Sequence, residues 1–313
     1  MLNILIDCDP GIDDALALLF CLNRTDVNIV GITTGAGNVS ARQGAANTLA
    51  LLKLAGREDI PVCAGFEQPM QGQCENYPDW IHGKNGLGNV CLPESQQKPI
   101  TAPVTEFIYR KACEFEGKLL LVTLGRMTNL AHTLTAHPDL PEKVHRVVAM
   151  GGTLHAHGNV TPVCEANIWG DPEAADIVVQ QDWDLTMVGL DVTLQTHLCL
   201  DDIRRLKRFC RKNALAQVNF IEKALHYYTN GNRTQSFTME YSPLHDPLAM
   251  IVAIDPSVVT LQKCVTRIEC HGTYARGMVV TDTREKPIQG SFVSHCIKVD
   301  SRKALNILFS AFQ

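Results

Sequence analysis

The chain opens Leu2-Asn3-Ile4-Leu5-Ile6-Asp7-Cys8-Asp9-Pro10-Gly11-Ile12-Asp13-Asp14-Ala15-Leu16-Ala17-Leu18-Leu19-Phe20, and the three parts of this stretch decide the fold. Residues 2–6 form an apolar run of strand length. From residue 14 to 22 the apolar residues continue as a helix. A strand that is apolar on both faces and turns directly into a helix is the opening of a β-α-β unit, whose sheet is parallel and covered on both sides. Between strand and helix lie Asp7, Asp9, Asp13 and Asp14, four carboxylates in eight residues.

The same succession recurs downstream. Residues 28–34 precede a helical stretch at 41–54, residues 60–64 read as a short third strand, and residues 119–124 precede a helix at 128–134. Strands at 146–150 and 185–190 flank a helix at 172–179. The fold expected is therefore α/β, a mostly parallel, Rossmann-like open sheet flanked by helices. Extra strands at 258–270, 277–283 and 294–299 and a closing helix at 301–312 extend it. No repeat or linker interrupts the alternation, so residues 1–313 are expected to form one domain. Two segments depart from it. Residues 67–99 make a long loop, and residues 201–228 are mostly helical, followed by a polar connection at 229–242; both are candidate lids. In a doubly wound sheet the ligand site lies beyond the carboxyl ends of the strands, and the polar motifs fall there: residues 7–14, Gly35-Ala36-Gly37-Asn38, Gly125 and Gly151-Gly152.

Composition narrows the function. A 313-residue chain that is 45% hydrophobic and 19% charged buries a sizeable core. A net charge of -5 without a basic run argues against a nucleic-acid or anionic-membrane partner. The twelve cysteines are scattered, without a CxxC pair, as in a reducing compartment. The start lacks the features of a signal peptide and no run approaches a membrane span. A cytoplasmic protein acting on a small ligand is expected.

The acidic run needs a partner. At an effective dielectric near 20, two carboxylates roughly 6 Å apart repel by nearly 3 kcal/mol. Asp13 and Asp14 open a helix, where its dipole favours negative charge, but that leaves Asp7 and Asp9 without a role. An EF-hand counted from Asp7 would need Gly at 12 and Glu at 18, where Ile12 and Leu18 stand. An aspartyl-nucleophile phosphatase also begins with DxD after a strand, but Gly11 replaces the Thr or Val expected two residues beyond Asp9. A hard cation is the simplest answer.

The run DCDPGIDDA, taken with Ala36-Gly37-Asn38, Ile81-His82-Gly83, Thr128-Asn129-Leu130-Ala131, Met150-Gly151-Gly152, Glu165-Ala166-Asn167 and Leu244-His245-Asp246-Pro247, closely resembles the nucleoside hydrolases of the inosine-uridine preferring type. The motifs run in order from residue 7 to 247. The resemblance implies a calcium-dependent hydrolase that cleaves ribonucleosides to ribose and a free purine or pyrimidine base. By position, Asp9, Asp14, Asp246 and the main-chain carbonyl of Leu124 correspond to the Ca2+ ligands, and Asp9 also to the general base that activates metal-bound water. Asp13, Asn38, Asn159, Glu165 and Asn167 correspond to ribose contacts. On sequence alone Asn38 and Asn159 read as turn residues and Glu165 and Asn167 as solvated ones. The family further implies a homodimer or homotetramer. A non-catalytic ribonucleoside-binding protein is the competing expectation, and Asp9 beside the metal argues against it.

His245 corresponds to the histidine facing the base, the candidate for protonating it, and His82 to a loop histidine near the site. Trp80, Trp169, Tyr227, Tyr228 and Phe237 are candidate stacking partners for the base. Residues 232–237 match the purine-type pattern poorly, so Arg233 or Gln235 is an alternative contact to a pyrimidine edge.

Overall fold

The structure, a computed structural model, describes residues 1–74, 77–235 and 241–313, with residues 232–235 as backbone. Its strands are β1 (Leu2–Cys8), β2 (Val27–Thr34), β3 (Val62–Ala64), β4 (Leu119–Thr123), β5 (Val144–Met150), β6 (Leu185–Val188), β7 (His197–Leu198), β8 (Ser242–Pro243), β9 (Val259–Ile268), β10 (Val279–Asp282) and β11 (Ser291–Val299). Nine of them make one sheet in the order β10-β9-β11-β6-β5-β4-β1-β2-β3, and β7 pairs with β8 separately. From β3 to β6 and on to β11 neighbours run parallel, while β9 is antiparallel to β11 and β10. The order 3-2-1-4-5-6 is that of a doubly wound sheet, with its switch point between β1 and β4.

Alternate residues of β1 serve opposite faces. Ile4, Ile6 and Cys8 join the core with Leu16, Phe20 and the His245–Ile254 helix, while Leu5 joins Phe107, Leu130 and Val178 on the other side. Burying a strand on both faces demands an apolar residue at nearly every position, as residues 2–6 supply. The carboxyl ends of β1 and β4 lie side by side, with Asp7 opposite Thr123.

Three elements differ from the sequence expectation. A helix at Val104–Glu114, absent from the expected alternation, fills the interval before β4 and buries Phe107, Ile108 and Ala112. The expected strand at 185–190 ends at Val188, and Leu190 begins a short helix, Leu190–Thr193. The expected polar connection at 229–242 begins instead as the last turns of a helix, Leu215–Gln235. Thr229 donates its hydroxyl to Leu225 O, a bond made inside the helix. A Cβ on Gly231 would stand 2.8 Å from Trp80 O and 2.9 Å from the Ile81 Cα. Close packing on the Asp79–His82 helix thus outweighs the weak helix propensity of this stretch. Among the described residues no helix is long and apolar enough to cross a membrane.

Candidate active site

Two helix N-termini meet at the switch point. The Ile12–Leu22 helix carries Asp13 and Asp14 in its first turn, and the His245–Ile254 helix, packed against it, carries Asp246. Oxygens of Asp13, Asp14 and Asp246 lie within 4.8 Å of one another, and all three residues are buried. The helix dipoles favour negative charge there, but burial wins: it pushes the Asp13 carboxyl up to about 6, and burial together with the charge of Asp13 raises Asp14 and Asp246.

Asp14 is anchored by the N–H groups of Asp9 at 3.1 Å and Gly11 at 3.0 Å and by Asn38 Nδ2 at 3.0 Å. Asp13 Oδ2 accepts from the Tyr228 hydroxyl at 3.3 Å, whereas its buried Oδ1 has no hydrogen-bond partner among the described residues. Oxygens at 2.3–2.6 Å from one calcium ion are separated by at most about 5 Å, so a trio this tight fits around one cation. The donor set is all oxygen, and a cation would satisfy the orphaned Oδ1.

The trio shares Asp14 and Asp246 with the expected ligand set and includes Asp13, which was expected to contact the ribose. Asp9 is adjacent: its Oδ2 accepts Asn38 N–H at 2.7 Å, and burial with the Asp14 charge holds its pKa well above the carboxylate range. A Cβ at position 125 would come 2.5 Å from Asp9 Oδ1, so glycine there makes room for the carboxylate. The Leu124 carbonyl accepts from Asn167 Nδ2 at 2.6 Å and keeps a second lone pair. Asp7 is turned away from the trio: its Oδ1 accepts from Thr33 Oγ1 at 2.6 Å and Asn129 Nδ2 at 2.8 Å, tying β1 to β2 and to the Thr128–Ala136 helix.

The cluster opens into a cavity of about 310 Å³, within the range of small-ligand sites. Every residue expected as a metal ligand, ribose contact or base-facing histidine lines it except the fully buried Asp14. Glu165 is 2% exposed, not solvated: it caps the Ala166–Gly170 helix by accepting N–H groups from Asn167 and Ile168, accepts another from Gly152, and burial pushes it up to about 7. Asn159 Oδ1 accepts Ala166 N–H at 3.0 Å, folding its loop onto the same helix. His82 is buried, with Nδ1 accepting Ile12 N–H at 3.1 Å, so this part of the long loop is seated on the first helix. His245 Nδ1 lies 2.9 Å from Thr193 Oγ1. Burial lowers both histidines to about 4, leaving them neutral at pH 7.

The profile of the inosine-uridine preferring nucleoside hydrolases matches residues 4–306. The chain belongs to this family. As a nucleoside hydrolase it is similar to uridine nucleosidase 1 of Arabidopsis thaliana, at 36% identity over 270 residues covering 86% of this chain and 79% of the relative. Among solved structures, the plant nucleoside hydrolase PpNRh1 superposes with a TM-score of 0.93 at 33% identity, over 99% of this chain and 98% of that one. The purine-preferring ribonucleoside hydrolase of Gardnerella vaginalis superposes with a TM-score of 0.92 at 32% identity, with the same coverage.

Two residues of this nucleoside hydrolase escaped the sequence reading. Arg126 lines the cavity, the one Lys or Arg among its described lining residues, and its charge opposes the rise of the Asp9 pKa. Its place just after Gly125, at a strand end, was the available signal. Thr193 had no local signal at all, since its contact spans 52 residues. Of the aromatic candidates, Trp80, Trp169 and Tyr228 line the cavity, while Tyr227 hydrogen-bonds Asp79 O. The side chains of Arg233 and Gln235, and Phe237, lie outside the described residues.

Proposed function

We propose that this nucleoside hydrolase cleaves the N-glycosidic bond of ribonucleosides, releasing ribose and a purine or pyrimidine base, with a calcium ion held by Asp9, Asp14, Asp246 and the Leu124 carbonyl and with Asp13 beside it. The observation that carries this reading is the convergence of three buried carboxylates within 4.8 Å at a ligand-sized cavity. An all-oxygen donor set favours a hard cation over a transition metal. A bound calcium ion would offset the clustered negative charge and make neighbouring water easier to deprotonate.

The residues supply the rest. Asp9 Oδ2 is engaged by Asn38 N–H, so Oδ1 is the atom that takes a proton from the attacking water. The water oxygen bonds the anomeric carbon as the carbon–nitrogen bond breaks, and the departed base ends with a proton. Oxocarbenium character builds on the ribose, and the surrounding carboxylates stabilise it. Asp13, Asn38, Asn159, Glu165 and Asn167 hold the ribose hydroxyls, and His82 and His245 face the base.

Residues 1–313 form one domain in this reading, because one sheet takes strands from Leu2 to Val299. By family resemblance the enzyme is a homodimer or homotetramer, which sedimentation tests, and its scattered cysteines suit the cytoplasm. The decisive experiment measures ribose released from uridine, cytidine and inosine, with calcium and with excess EDTA. Release in calcium and loss in chelator are expected. Tight binding without release refutes catalysis, and full activity in EDTA refutes the metal.

A further inference from the structure

We infer that Thr193 is a positioning residue that holds His245 in its Nε2–H tautomer, so that the ring presents a hydrogen-bond donor to the leaving base. The inference rests on the reading of His245 as the group that faces that base. Thr193 ends the short Leu190–Thr193 helix and is fully buried. Its Oγ1 lies 2.9 Å from His245 Nδ1, its one hydrogen-bond partner among the described residues. A buried hydroxyl carries a hydrogen that needs an acceptor. The hydroxyl therefore donates to Nδ1, and the ring proton resides on Nε2. A proton on Nδ1 as well would set two hydrogens between the same pair of atoms. With Nδ1 occupied, Nε2–H is the polar group that the ring, which lines the cavity, has left for a ligand.

The helix that aims Thr193 is itself fixed. Asp191 accepts N–H groups from Leu154 and His155 at 2.7 Å and from Ala156 at 3.1 Å, and Leu190 N–H donates to Gly152 O at 2.9 Å. One short helix thus grips the loop that carries Asn159 and Glu165 and also orients His245. On the other side Leu244 N–H donates to Thr196 O at 2.8 Å, which fixes the backbone just before the histidine. The consequence differs from full proton transfer by His245. A neutral ring that donates Nε2–H stabilises the charge gathering on the departing base and keeps its own proton. The proton that the base finally carries is the one Asp9 removed from water, returned through solvent, so the water is fully accounted for: hydroxyl to the anomeric carbon, proton to the base.

Nitrogen-15 NMR of histidine-labelled enzyme reads the tautomer directly, with His245→Ala assigning the signal. Protonated Nε2 and bare Nδ1 are expected in the wild type, and a proton on Nδ1 overturns the inference. In kinetics, Thr193→Val keeps the side-chain shape and removes the donor. It should lower kcat/KM for uridine and inosine about tenfold, the scale of one lost hydrogen bond, with little change for 4-nitrophenyl riboside, whose leaving group needs no help. Thr193→Ser should restore the nucleoside rate. Equal losses on both substrate types, or a serine variant as impaired as the valine one, would mean that Thr193 only supports packing. Failure of the wild type to hydrolyse any nucleoside would sink the proposed function instead, and the NMR signal would still decide the tautomer.

Discussion

Chelating the proposed cation should destabilise the fold, and by an amount that grows with pH. Burial raises the Asp13 carboxyl from 3.8 to about 6, so the folded, cation-free chain holds this proton more tightly than the unfolded chain does. The associated stability is fully present below pH 3.8 and is lost as the pH rises through about 6. A separation of about two pKa units corresponds to roughly 3 kcal/mol from Asp13 alone, and Asp14 and Asp246 act in the same direction. A cation among these oxygens reverses the effect: at a hundredfold excess over its Kd it contributes about 2.7 kcal/mol. For a chain of this size that is roughly 5 °C in Tm. Calorimetry in millimolar calcium and in EDTA, at pH about 4.5 and about 7.5, should show a wide gap at the higher pH and a narrow one at the lower. Asp13→Asn adds an opposite sign, raising Tm in EDTA at neutral pH while shrinking the response to calcium. A calcium gap of the same size at both pH values, or none at all, refutes this account of the cluster.

Asp9→Asn should lower kcat about 10²- to 10⁴-fold, the range of a general base, while the Kd for uridine, read by calorimetry, changes little; near-normal turnover would remove Asp9 from that role. Gly125→Ala puts a methyl group where Asp9 Oδ1 needs space, and a displacement of that kind should cost about 10²-fold in kcat with an unchanged circular dichroism spectrum. His295 is buried against Thr266, and burial lowers it from 6.5 to about 4. Its contribution to stability is whole above pH 6.5 and is lost as the pH falls through about 4, a change of roughly 3 kcal/mol. His295→Gln should flatten that part of the profile in urea unfolding between pH 4 and 7, and an unaltered slope would show that His295 is not its source.

The fold was legible because its signal is local. Residues 2–22 state a buried strand, an acidic turn and a helix within one window, and similar pairs recur to β6. What escaped was set by contacts distant in sequence. The Leu215–Gln235 helix outlasts its propensity because Gly231 packs against the backbone of Trp80 and Ile81. Asp13 joins the tightest trio because a second helix, more than two hundred residues later, brings Asp246 to it. Thr193 matters through one hydrogen bond to His245, which neither residue's neighbours announce.

Asp7 and Asp13 show why a raised pKa alone does not mark a functional acid. Burial pushes both up to about 6. The partners differ. Asp7 Oδ1 is met by Thr33 and Asn129, neutral donors that stitch two elements to β1. Asp13 has one oxygen met by Tyr228 at 3.3 Å and the other, among the described residues, unpartnered beside two further carboxylates. A buried acid bonded by donors of neighbouring elements is architecture, and one with an orphaned oxygen at a cavity is a site that a cation or a sugar hydroxyl completes. Accounting for hydrogen bonds, rather than counting charges, separates the acids of residues 7–14, and it makes Asp13 the residue whose removal should distinguish ligand binding from folding.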